Sequence, residues 1–442
     1  AGPAVASGES AHSPHTMTRE SPTSSELAFD DDQVTSDLIC VTTYTNPECL
    51  AHTPKRAEGA GIYTFDLDLK TGALTKRGAL AVSPNPAFLV RHPELPLLYG
   101  TTECIDRPGE VLTLSLDPAN PSSPLKLLGR VPAGGRSTCY LNVAPDARSI
   151  AAVNYWDARL TVLPVDAHGA VGEVAWSEAM PGAEYVDAHN PDRTEHWTYR
   201  QRWPHTHCAV TEPHTGAQGV FVCDLGRDCI AHYARGEGGA LEWRGEVALE
   251  AGLGPRHCVF HPRLRACYVV NELTSSVTVL RFNGLGAGGK ERASEPGGVF
   301  EHLQTISTLP TEWQDKQTQK NGVWKAASHC SEIRLHPSGG LLFVGNRGHD
   351  SLAVFRVLEG EGGLLELSQI APTGGACPRN YNFSSDGRWV ITGNQDSDTL
   401  AIFACDAAKG QLELRHEVAC PAPNFVYTVP PSRATFAPNH AA

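Results

Sequence analysis

The chain repeats one pattern of apolar and polar positions: a short apolar run, a tight turn containing Pro, Asp or Gly, and a second apolar run ending near Asn or Asp. Six such segments read PAFLVRHPELPLLYGTTE, CYLNVAPDARSIAAVNY, HCAVTEPHTGAQGVFVCDLG, RHCVFHPRLRACYVVNEL, SEIRLHPSGGLLFVGNRG and RNYNFSSDGRWVITGNQD. Each predicts two antiparallel strands joined by a turn, with apolar runs suited to a sheet covered on both faces. A seventh first strand stands alone at residues 424–429.

The partners of this isolated strand are predicted at the other end of the chain. Residues 38–43 (LICVTT) and 62–67 (IYTFDL) have the pattern of second and third strands. We therefore predict an all-β, seven-bladed β-propeller over residues 36–432, closed by pairing of the N- and C-terminal strands in one blade. Such closure removes exposed sheet edges. Residues 1–35 are predicted to be a disordered leader and residues 433–442 a C-terminal tail.

The spacing of the repeats agrees with this architecture. Successive first strands begin 52, 68, 49, 75, 48 and 45 residues apart, against about 40–50 residues for a propeller blade. The two long intervals predict insertions at residues 181–204 and 284–325, which we expect to be functional lids or disordered segments.

One column of the repeat predicts where the chemistry lies. In a propeller the first strand of every blade lines the central channel, so residues at the start of these strands should form a ring. Its members are Ala87, Cys139, His207, Arg256, Ser331, Arg379 and Asn424. Two arginines and a histidine around one opening favour an anionic ligand, because burying such groups is otherwise costly. The alternative is that each arginine is paired with a carboxylate of a neighbouring blade and only stabilises the ring.

Two histidines precede the third segment. Pro204-His205-Thr206-His207 places His205 and His207 on one face of an extended strand. No third and fourth metal ligands have convincing spacing, so a general base or an oxyanion donor is favoured over a metal site. The alternative is a pair of buried core histidines.

Further candidates come from the next blades. Glu272 follows Arg256 by one hairpin, so the two side chains are expected near each other, with the carboxylate ionised and its pKa lowered. Such a group serves better as an orienting group or base than as an acid. Arg347 is equally compatible with a ligand contact and with a surface ion pair. Three histidines at turn positions are expected to be structural, namely His214, His261 and His336.

Composition narrows the class of partner and the compartment. The 442 residues carry a formal charge of −13, which argues against nucleic acid and anionic membranes as general partners. No run of about 18 apolar residues suggests a membrane span. The 13 cysteines are scattered without a C-x-x-C pair, which predicts buried, reduced thiols in a reducing, cytoplasmic compartment.

Six ordered motifs carry a family resemblance. They are Arg200-Gln201 with Pro204–His207, CDLGRD, GPRHCVFHP, VVNELTSS, GNRGHDSLAVF, and CPRNYNF with GNQDSDTLAIF. Together they resemble the seven-bladed propeller lactonase family, which includes bacterial propeller-type 6-phosphogluconolactonases and fungal carboxymuconate-lactonizing enzymes. The resemblance extends from about residue 38 to residue 430.

The resemblance implies a catalytic set. His207, Arg256 and Glu272 match positions that are implicated in catalysis in the fungal enzymes. The fungal site uses a further arginine where this chain reads Lys325-Ala326-Ala327-Ser328-His329, which argues against muconate chemistry. Arg379 and Arg334 follow the bacterial pattern better.

The implied reaction is hydrolysis of a small anionic sugar lactone, 6-phosphoglucono-δ-lactone, in the pentose phosphate branch of carbohydrate metabolism. His207 would be the base, Glu272 would orient it or share its role, and Arg256 would stabilise the oxyanion. The expected substrate-binding residues are Arg379, Arg334, His205 and His329. No metal or organic cofactor is expected, and the sequence leaves the oligomeric state open.

Two other functions are compatible with the sequence. A cycloisomerase would use the basic ring to bind a carboxylated muconate. A non-catalytic docking platform would have its ring neutralised by internal carboxylates and a large apolar patch on one face.

Overall fold

Seven four-stranded antiparallel sheets form the blades of a β-propeller. The computed structural model describes residues 1–2, 35–51, 54, 58–183, 200–201, 203–285, 298–314, 316–320 and 323–429. The predicted fold class is confirmed.

The strands follow one another around the ring in chain order. In blade 1 lie β1 (Ser36–Thr43), β2 (Gly61–Asp68) and β3 (Leu74–Ala81); in blade 2, β4 (Pro86–Arg91), β5 (Leu97–Thr102), β6 (Pro108–Leu116) and β7 (Leu125–Arg136); in blade 3, β8 (Thr138–Val143), β9 (Ser149–Asn154), β10 (Arg159–Pro164) and β11 (Trp176–Ala179); in blade 4, β12 (Thr206–Thr211), β13 (Gly219–Asp224), β14 (Cys229–Arg235) and β15 (Leu241–Ala248).

The second half of the ring has the same order. In blade 5 lie β16 (Pro255–Phe260), β17 (Ala266–Asn271), β18 (Ser276–Phe282) and β19 (Phe300–Ser307); a separate hairpin contains β20 (Gln317–Lys320) and β21 (Val323–Ala326); in blade 6 lie β22 (His329–Leu335), β23 (Leu341–Arg347), β24 (Ser351–Leu358) and β25 (Leu364–Pro372); in blade 7, β26 (Pro378–Phe383), β27 (Trp389–Asn394), β28 (Thr399–Asp406) and β29 (Gln411–Ala419); and β30 (Pro423–Val429) completes blade 1. Short 3-10 helices span Pro47–Cys49, Glu237–Gly239, Thr311–Trp313 and Glu359–Glu361.

The two ends of the propeller meet in blade 1, as the sequence predicts. Strand β30 pairs antiparallel with β1, from Leu38 opposite Val429 to Thr42 opposite Phe425. The last strand is therefore the innermost strand of the first blade. The pairing satisfies backbone groups that an open ring would leave at two sheet edges.

Burial falls from the channel to the rim of each blade. Inner strands such as β8 and β16 are buried at every position, whereas the outer strand β15 is mostly exposed or half-buried. Inner strands pack against neighbouring blades, so polar side chains such as Ser331, Glu332 and Arg334 of β22 are buried together with apolar ones.

The histidines at the turns include two that connect neighbouring blades. The Nδ1 atom of His261 accepts hydrogen bonds from the backbone N–H groups of Arg263 and Leu264, and its Nε2 lies 3.1 Å from the carbonyl oxygen of Gly339 in blade 6. His336 repeats the interblade contact with Gly387 at 3.0 Å. The structural role predicted for these two residues is confirmed, and His214 packs against the rings of Phe260 and Phe282.

The predicted insertions are only partly described. The prediction that all of residues 284–325 form an insertion is wrong, because β19 within it is the ordinary outer strand of blade 5. The additional structure within residues 284–325 includes the hairpin β20–β21. Residues 184–199 and 286–297 lie outside the described residues, as do the predicted leader from residue 3 to residue 34 and the C-terminal tail, so their predicted roles stay predictions.

All 13 cysteines lie in the described ranges as free thiols, and eleven of them are buried. Cys377 and Cys405 are half-buried, contrary to the expectation that every thiol is inside.

In the part of the chain that the structure describes, no helix has the length and apolarity needed to span a membrane.

Truncation tests ring closure. Deleting residues 422–442 removes β30 and uncovers edges in blade 1, so we expect the shortened protein to aggregate or lose cooperative unfolding. Deleting residues 1–30 is the control and should leave the urea unfolding transition unchanged. Soluble, cooperatively unfolding protein without β30 would contradict the closure scheme.

Candidate functional site

A β-bulge lies near the start of the innermost strand of every blade. The pairing of the innermost strand with its neighbour skips one residue in six blades and two in blade 6, and the skipped residues are Ala87, Cys139, His207, Arg256, Ser331 with Glu332, Arg379 and Asn424. A bulge leaves one residue outside the ladder and re-aims its side chain. The column predicted from the sequence is therefore the set of bulged residues.

A second ring comes from the end of the next strand of each blade, where its member directly follows the strand in six blades and is the last strand residue, Arg347, in blade 6. Its members are Tyr44, Glu103, Tyr155, Leu225, Glu272, Arg347 and Gln395. In six of them the backbone N–H donates to the carbonyl oxygen of the residue preceding the innermost strand, as Glu272 does to Gly254 at 2.8 Å. Arg347 is paired instead with His329 in the ladder of blade 6. These contacts place the second ring beside the bulges.

A third ring lies one residue beyond the bulges. Its members are Phe88, Tyr140, Cys208, His257, Glu332, Asn380 and Phe425. Phe88 packs against Tyr140 and Phe425 with ring centroids 4.5 and 4.6 Å apart, and Tyr140 meets the edge of His257. Three members of this ring thus form an aromatic floor, and three others, His257, Glu332 and Asn380, are polar.

The three rings enclose two adjoining cavities. The mouth cavity has about 460 Å³ of empty space, including space open to solvent, and is lined by Tyr44, Leu50, Ala51, Glu103, Ser137, Cys139, Tyr155, Arg200, His207, Glu272, Arg347 and Arg379. The inner cavity has about 330 Å³ and adds Ala87, Phe88, Arg256, His257, Glu332, Asn380, Asn424 and Phe425. Five residues line both cavities, so we treat them as one cleft.

A larger depression lies away from the channel. It has about 970 Å³ of empty space and is lined by residues that include Arg136, Asp157 and Trp243. Its lining ends at Ala183, where the described chain stops until Arg200. Its volume therefore carries no functional weight.

The carboxylate of Glu272 is shared by three arginines. Its Oε1 lies 2.7 Å from Nη1 of Arg200 and 2.9 Å from Nη2 of Arg347, and its Oε2 lies 3.1 Å from Nε of Arg256. The contact with Arg256 is an ion pair without hydrogen-bond geometry. Burial opposes ionisation of Glu272, but the three guanidinium groups outweigh it and hold its pKa well below the usual value.

Arg256 is held in place by contacts on several sides. Its Nη1 donates to the carbonyl oxygen of Ser331 at 2.5 Å and lies against the ring of His257. Burial lowers its pKa to about 10, and repulsion from Arg347 acts in the same direction. The ion pair with Glu272 therefore compensates its charge only in part.

Arg379 lies at the mouth of the cleft. Its guanidinium lies 5.4 Å from the ring centroid of Tyr44 and 3.8 Å from Oε2 of Glu103. The Tyr44 hydroxyl donates to the same oxygen of Glu103 at 2.7 Å. Arg379 thus has a distant ionic partner and an aromatic support, and it lines both cavities.

A second acidic centre lies at the floor. Glu332 contacts Nδ1 of His257 at 3.3 Å and Arg334 at 3.5 Å, and the Asn380 side chain donates to it. Arg334 also lies over the ring of Phe425. This places Arg334 with the floor rather than among the residues that line the cleft.

His207 lines the cleft and is buried close to Arg256 and His257. Its Nδ1 lies 3.2 Å from Nε2 of His257, and its ring meets the ring of Tyr155 edge-on. Burial, Arg256 and His257 lower its pKa well below the usual value. The imidazole is therefore neutral near pH 7.

His205 lies against Tyr155 and does not line the cleft. It stacks on Tyr155 with ring centroids 4.6 Å apart, and burial followed by repulsion from Arg200 lowers its pKa to about 4. The backbone N–H of His205 donates to Asp224, and Gly226 leaves room for the backbone at Trp203, which an added Cβ would meet at 1.7 Å. This turn sets the start of the strand that carries His207.

Among the described residues, the cluster of arginines and glutamates around the cleft has an excess of positive charge. Arg200, Arg256, Arg334, Arg347 and Arg379 face Glu103, Glu272 and Glu332. With the histidines left out of the count, the five arginines that the structure describes here exceed the three glutamates by two charges. The ion-pair alternative is therefore correct for individual contacts but leaves the cluster cationic, as an anion-binding site requires.

The sequence-predicted residues separate into two groups. His207, Arg256, Glu272 and Arg379 come together at the cleft. His205, Arg334 and His329 do not line either cavity, and their substrate-binding roles stay predictions. Four residues of the cleft were not predicted from the sequence, namely Tyr44, Glu103, Tyr155 and His257. A column at the residue after each second strand would have found the first three.

Two groups of side chains bring metal-ligating atoms within 4.8 Å among the residues that the structure describes. They are Cys208, Cys223 and Cys258, and Cys49, Cys104 and Asp106. Neither group includes His205 or His207. The first group lies in the apolar core, where burial raises the pKa of Cys208 to about 12 and so disfavours the thiolate that a metal needs.

A family comparison covers nearly the whole propeller. The profile described as lactonase, 7-bladed β-propeller, matches residues 39–428. The chain belongs to this lactonase family. The family resemblance seen in the motifs is confirmed, and family membership supports a lactonase role.

Individual relatives agree with this assignment. The chain is 29% identical to a Bacillus subtilis protein named 6-phosphogluconolactonase, over 80% of this chain and 90% of that protein. A Bacteroides uniformis structure, named as a candidate 6-phosphogluconolactonase, is 26% identical with a TM-score of 0.72, covering 89% of this chain and all of the other. The periplasmic gluconolactonase of Pseudomonas aeruginosa is 24% identical with a TM-score of 0.72, covering 89% and 99%, and this likeness shows the fold.

Two glutamates at equivalent positions of the second ring offer a matched stability test. Glu272→Gln leaves buried Arg256 and half-buried Arg200 and Arg347 without their shared anion, and we expect it to lower the free energy of unfolding by about 3–5 kcal/mol. Glu103→Gln keeps an acceptor for Tyr44 and loses one longer ionic contact, so a loss of only about 1 kcal/mol is expected. Urea unfolding of both variants measures the difference, and equal losses would contradict the central role of Glu272.

Proposed function

We propose that the cleft hydrolyses a sugar lactone, specifically 6-phosphoglucono-δ-lactone to 6-phosphogluconate. The observation that carries this proposal is a neutral histidine beside an arginine cluster that exceeds its carboxylates by two charges. The name of the Bacillus subtilis relative supports the choice of substrate.

The reaction needs a base, an oxyanion partner and a proton for the leaving group. His207 accepts a proton from water as the water oxygen bonds to the lactone carbonyl carbon, and Arg256 stabilises the resulting oxyanion. When the carbonyl re-forms, the bond to the ring oxygen breaks and protonated His207 returns its proton to that oxygen. The product is the open hydroxy acid.

Glu272 acts through the arginines in this scheme. Its contacts are to Arg200, Arg256 and Arg347, which it fixes around the cleft. Its low pKa makes it a poor base. It is therefore proposed as a positioning residue that holds Arg256 toward the reacting carbonyl.

The substrate phosphate is assigned to the mouth of the cleft. Arg379 lies there with only a 3.8 Å contact to Glu103, and Arg347 lines the same cavity. Guanidinium groups match phosphate oxygens in geometry and charge. Arg334 is better placed to neutralise Glu332 beneath the site than to meet the phosphate.

The other two functions have less support. A docking platform predicts full neutralisation of the ring, whereas the described cluster retains two positive charges. Its expected apolar patch also lacks support among the described residues, because their exposed large hydrophobic side chains lie singly on outer strands, at Leu128, Trp243, Leu367 and Leu414. The cycloisomerase is separated from the lactonase by assay with carboxymuconate.

An assay with fresh 6-phosphoglucono-δ-lactone tests the proposal directly. Protein treated with EDTA should release acid faster than spontaneous ring opening, since no metal takes part in the proposed steps. Unphosphorylated glucono-δ-lactone is the matched substrate, and its kcat/KM should be lower by about 10–100-fold because it lacks the charged contacts of the phosphate. Acid release no faster than the spontaneous reaction would refute the proposal.

Substitutions should separate chemistry from binding. Arg256→Ala removes the oxyanion partner and should lower kcat by about 10²–10³-fold, and His207→Ala should also depress kcat. Arg379→Ala should mainly raise KM for the phosphorylated substrate. Steady-state kinetics per folded molecule measures these effects.

The control variant is Arg388→Ala, which removes an exposed arginine paired with Asp386 on the surface. It should leave both kinetic constants unchanged. Full activity of Arg256→Ala and His207→Ala would show that the site is assigned to the wrong residues.

A further inference from the structure

Two cysteines meet at the rim of the cleft. Cys49 ends a short 3-10 helix after β1, and Cys104 follows Glu103 after β5. Their sulfur atoms are 2.9 Å apart, and both residues are buried. The proposed mechanism uses neither thiol.

The backbone around this pair is held on both sides. The Asn85 side chain accepts hydrogen bonds from the backbone N–H groups of Thr45 and Asn46 and donates to the carbonyl oxygen of Glu103 and to the sulfur of Cys49. The backbone N–H of Ile105 donates to the carbonyl oxygen of Cys49 at 2.9 Å. The two segments are therefore fixed relative to each other without a covalent link.

The sulfur separation favours a disulfide over a shared metal ion. Sulfur atoms bound to one tetrahedral zinc lie about 3.8 Å apart, since each Zn–S bond is about 2.3 Å, whereas a disulfide bond is about 2.05 Å long. Closing the observed gap needs a small approach, and metal binding would need the sulfurs to separate.

An exposed arginine contacts one of the two thiols. Arg107, whose side chain is 54% exposed, hydrogen-bonds to the sulfur of Cys104. Burial and the neighbouring Cys49 raise the pKa of Cys104 to about 12, and Arg107 opposes this by favouring the thiolate.

We propose that Cys49 and Cys104 form a reversible disulfide at the rim of the cleft, with a peroxide as oxidant. The Cys104 thiolate attacks one peroxide oxygen, the O–O bond breaks, and hydroxide leaves to give a sulfenic acid. Cys49 then attacks that sulfur, the S–S bond forms, and the hydroxyl group leaves as water. Two thiols and one hydrogen peroxide thus give one disulfide and two waters.

The link would tie together two residues that hold Arg379. Tyr44 lies on the segment that leads to Cys49, and Glu103 directly precedes Cys104. Oxidation therefore restrains the pair against which Arg379 rests. This consequence rests on the proposed function: the oxidised protein should have a lower KM for 6-phosphoglucono-δ-lactone, with a smaller change in kcat.

Mass spectrometry of the full chain tests the modification independently of activity. Treatment with hydrogen peroxide should remove two hydrogens and yield one cross-linked peptide pair containing Cys49 and Cys104, and dithiothreitol should restore both thiols. Cys49→Ser and Cys104→Ser should each abolish the cross-link, and Arg107→Gln should slow its formation. Cys405→Ser removes another partly accessible thiol and should leave the cross-link intact.

Several results would overturn the proposal. Oxidised protein in which Cys49 and Cys104 both remain open to alkylation would do so, as would a cross-link formed only by other cysteines. Protection of both thiols by added zinc, with no disulfide in its absence, would reassign the pair to a metal. A normal cross-link in protein without lactonase activity would refute the proposed function but would still support the disulfide.

Discussion

The architecture of the site depends on the bulged residues in the innermost strand of every blade. A bulge cannot be accommodated in the ladder, so each of these residues turns its side chain out of the sheet. The seven-fold repeat converts this local irregularity into a ring around the channel. The same bulges bring the residue after the next strand alongside, which is why Glu272 and Arg256 meet although a hairpin separates them.

Placing several arginines in this ring creates an electrostatic problem that the fold solves only in part. One carboxylate, that of Glu272, is shared among three guanidinium groups, and Arg379 has only a distant partner. Removing such charges from water is unfavourable unless other contacts compensate. An anionic substrate would neutralise part of this positive charge. Relief of the unfavourable desolvation would then contribute to the free energy of substrate binding. The same field lowers the pKa of His207 and keeps its imidazole neutral.

The scaffold bears this local cost because its stability is spread over seven equivalent sheets. Inner strands are buried on both faces, and the contacts of His261 and His336 tie blades together at their turns, away from the charged rings. Closure through β30 leaves the blades as a continuous ring. A site at the channel is thus supported by every blade, while each blade contributes only a few side chains to it.

The sequence alone determined the repeat, the number of blades, the closure by the two termini and the column that contains His207, Arg256 and Arg379. These follow from strand periodicity and spacing, which are local properties of the chain. It also identified Glu272 as an ionised neighbour of Arg256. Only the tertiary structure decided that Arg200 and Arg347 share this carboxylate, that Tyr44 and Glu103 support Arg379, and that His205 and Arg334 pack on Tyr155 and Phe425 without lining the cleft. The physical reason is that these contacts join residues of different blades, whose approach depends on how the ring closes and not on any pattern within one blade.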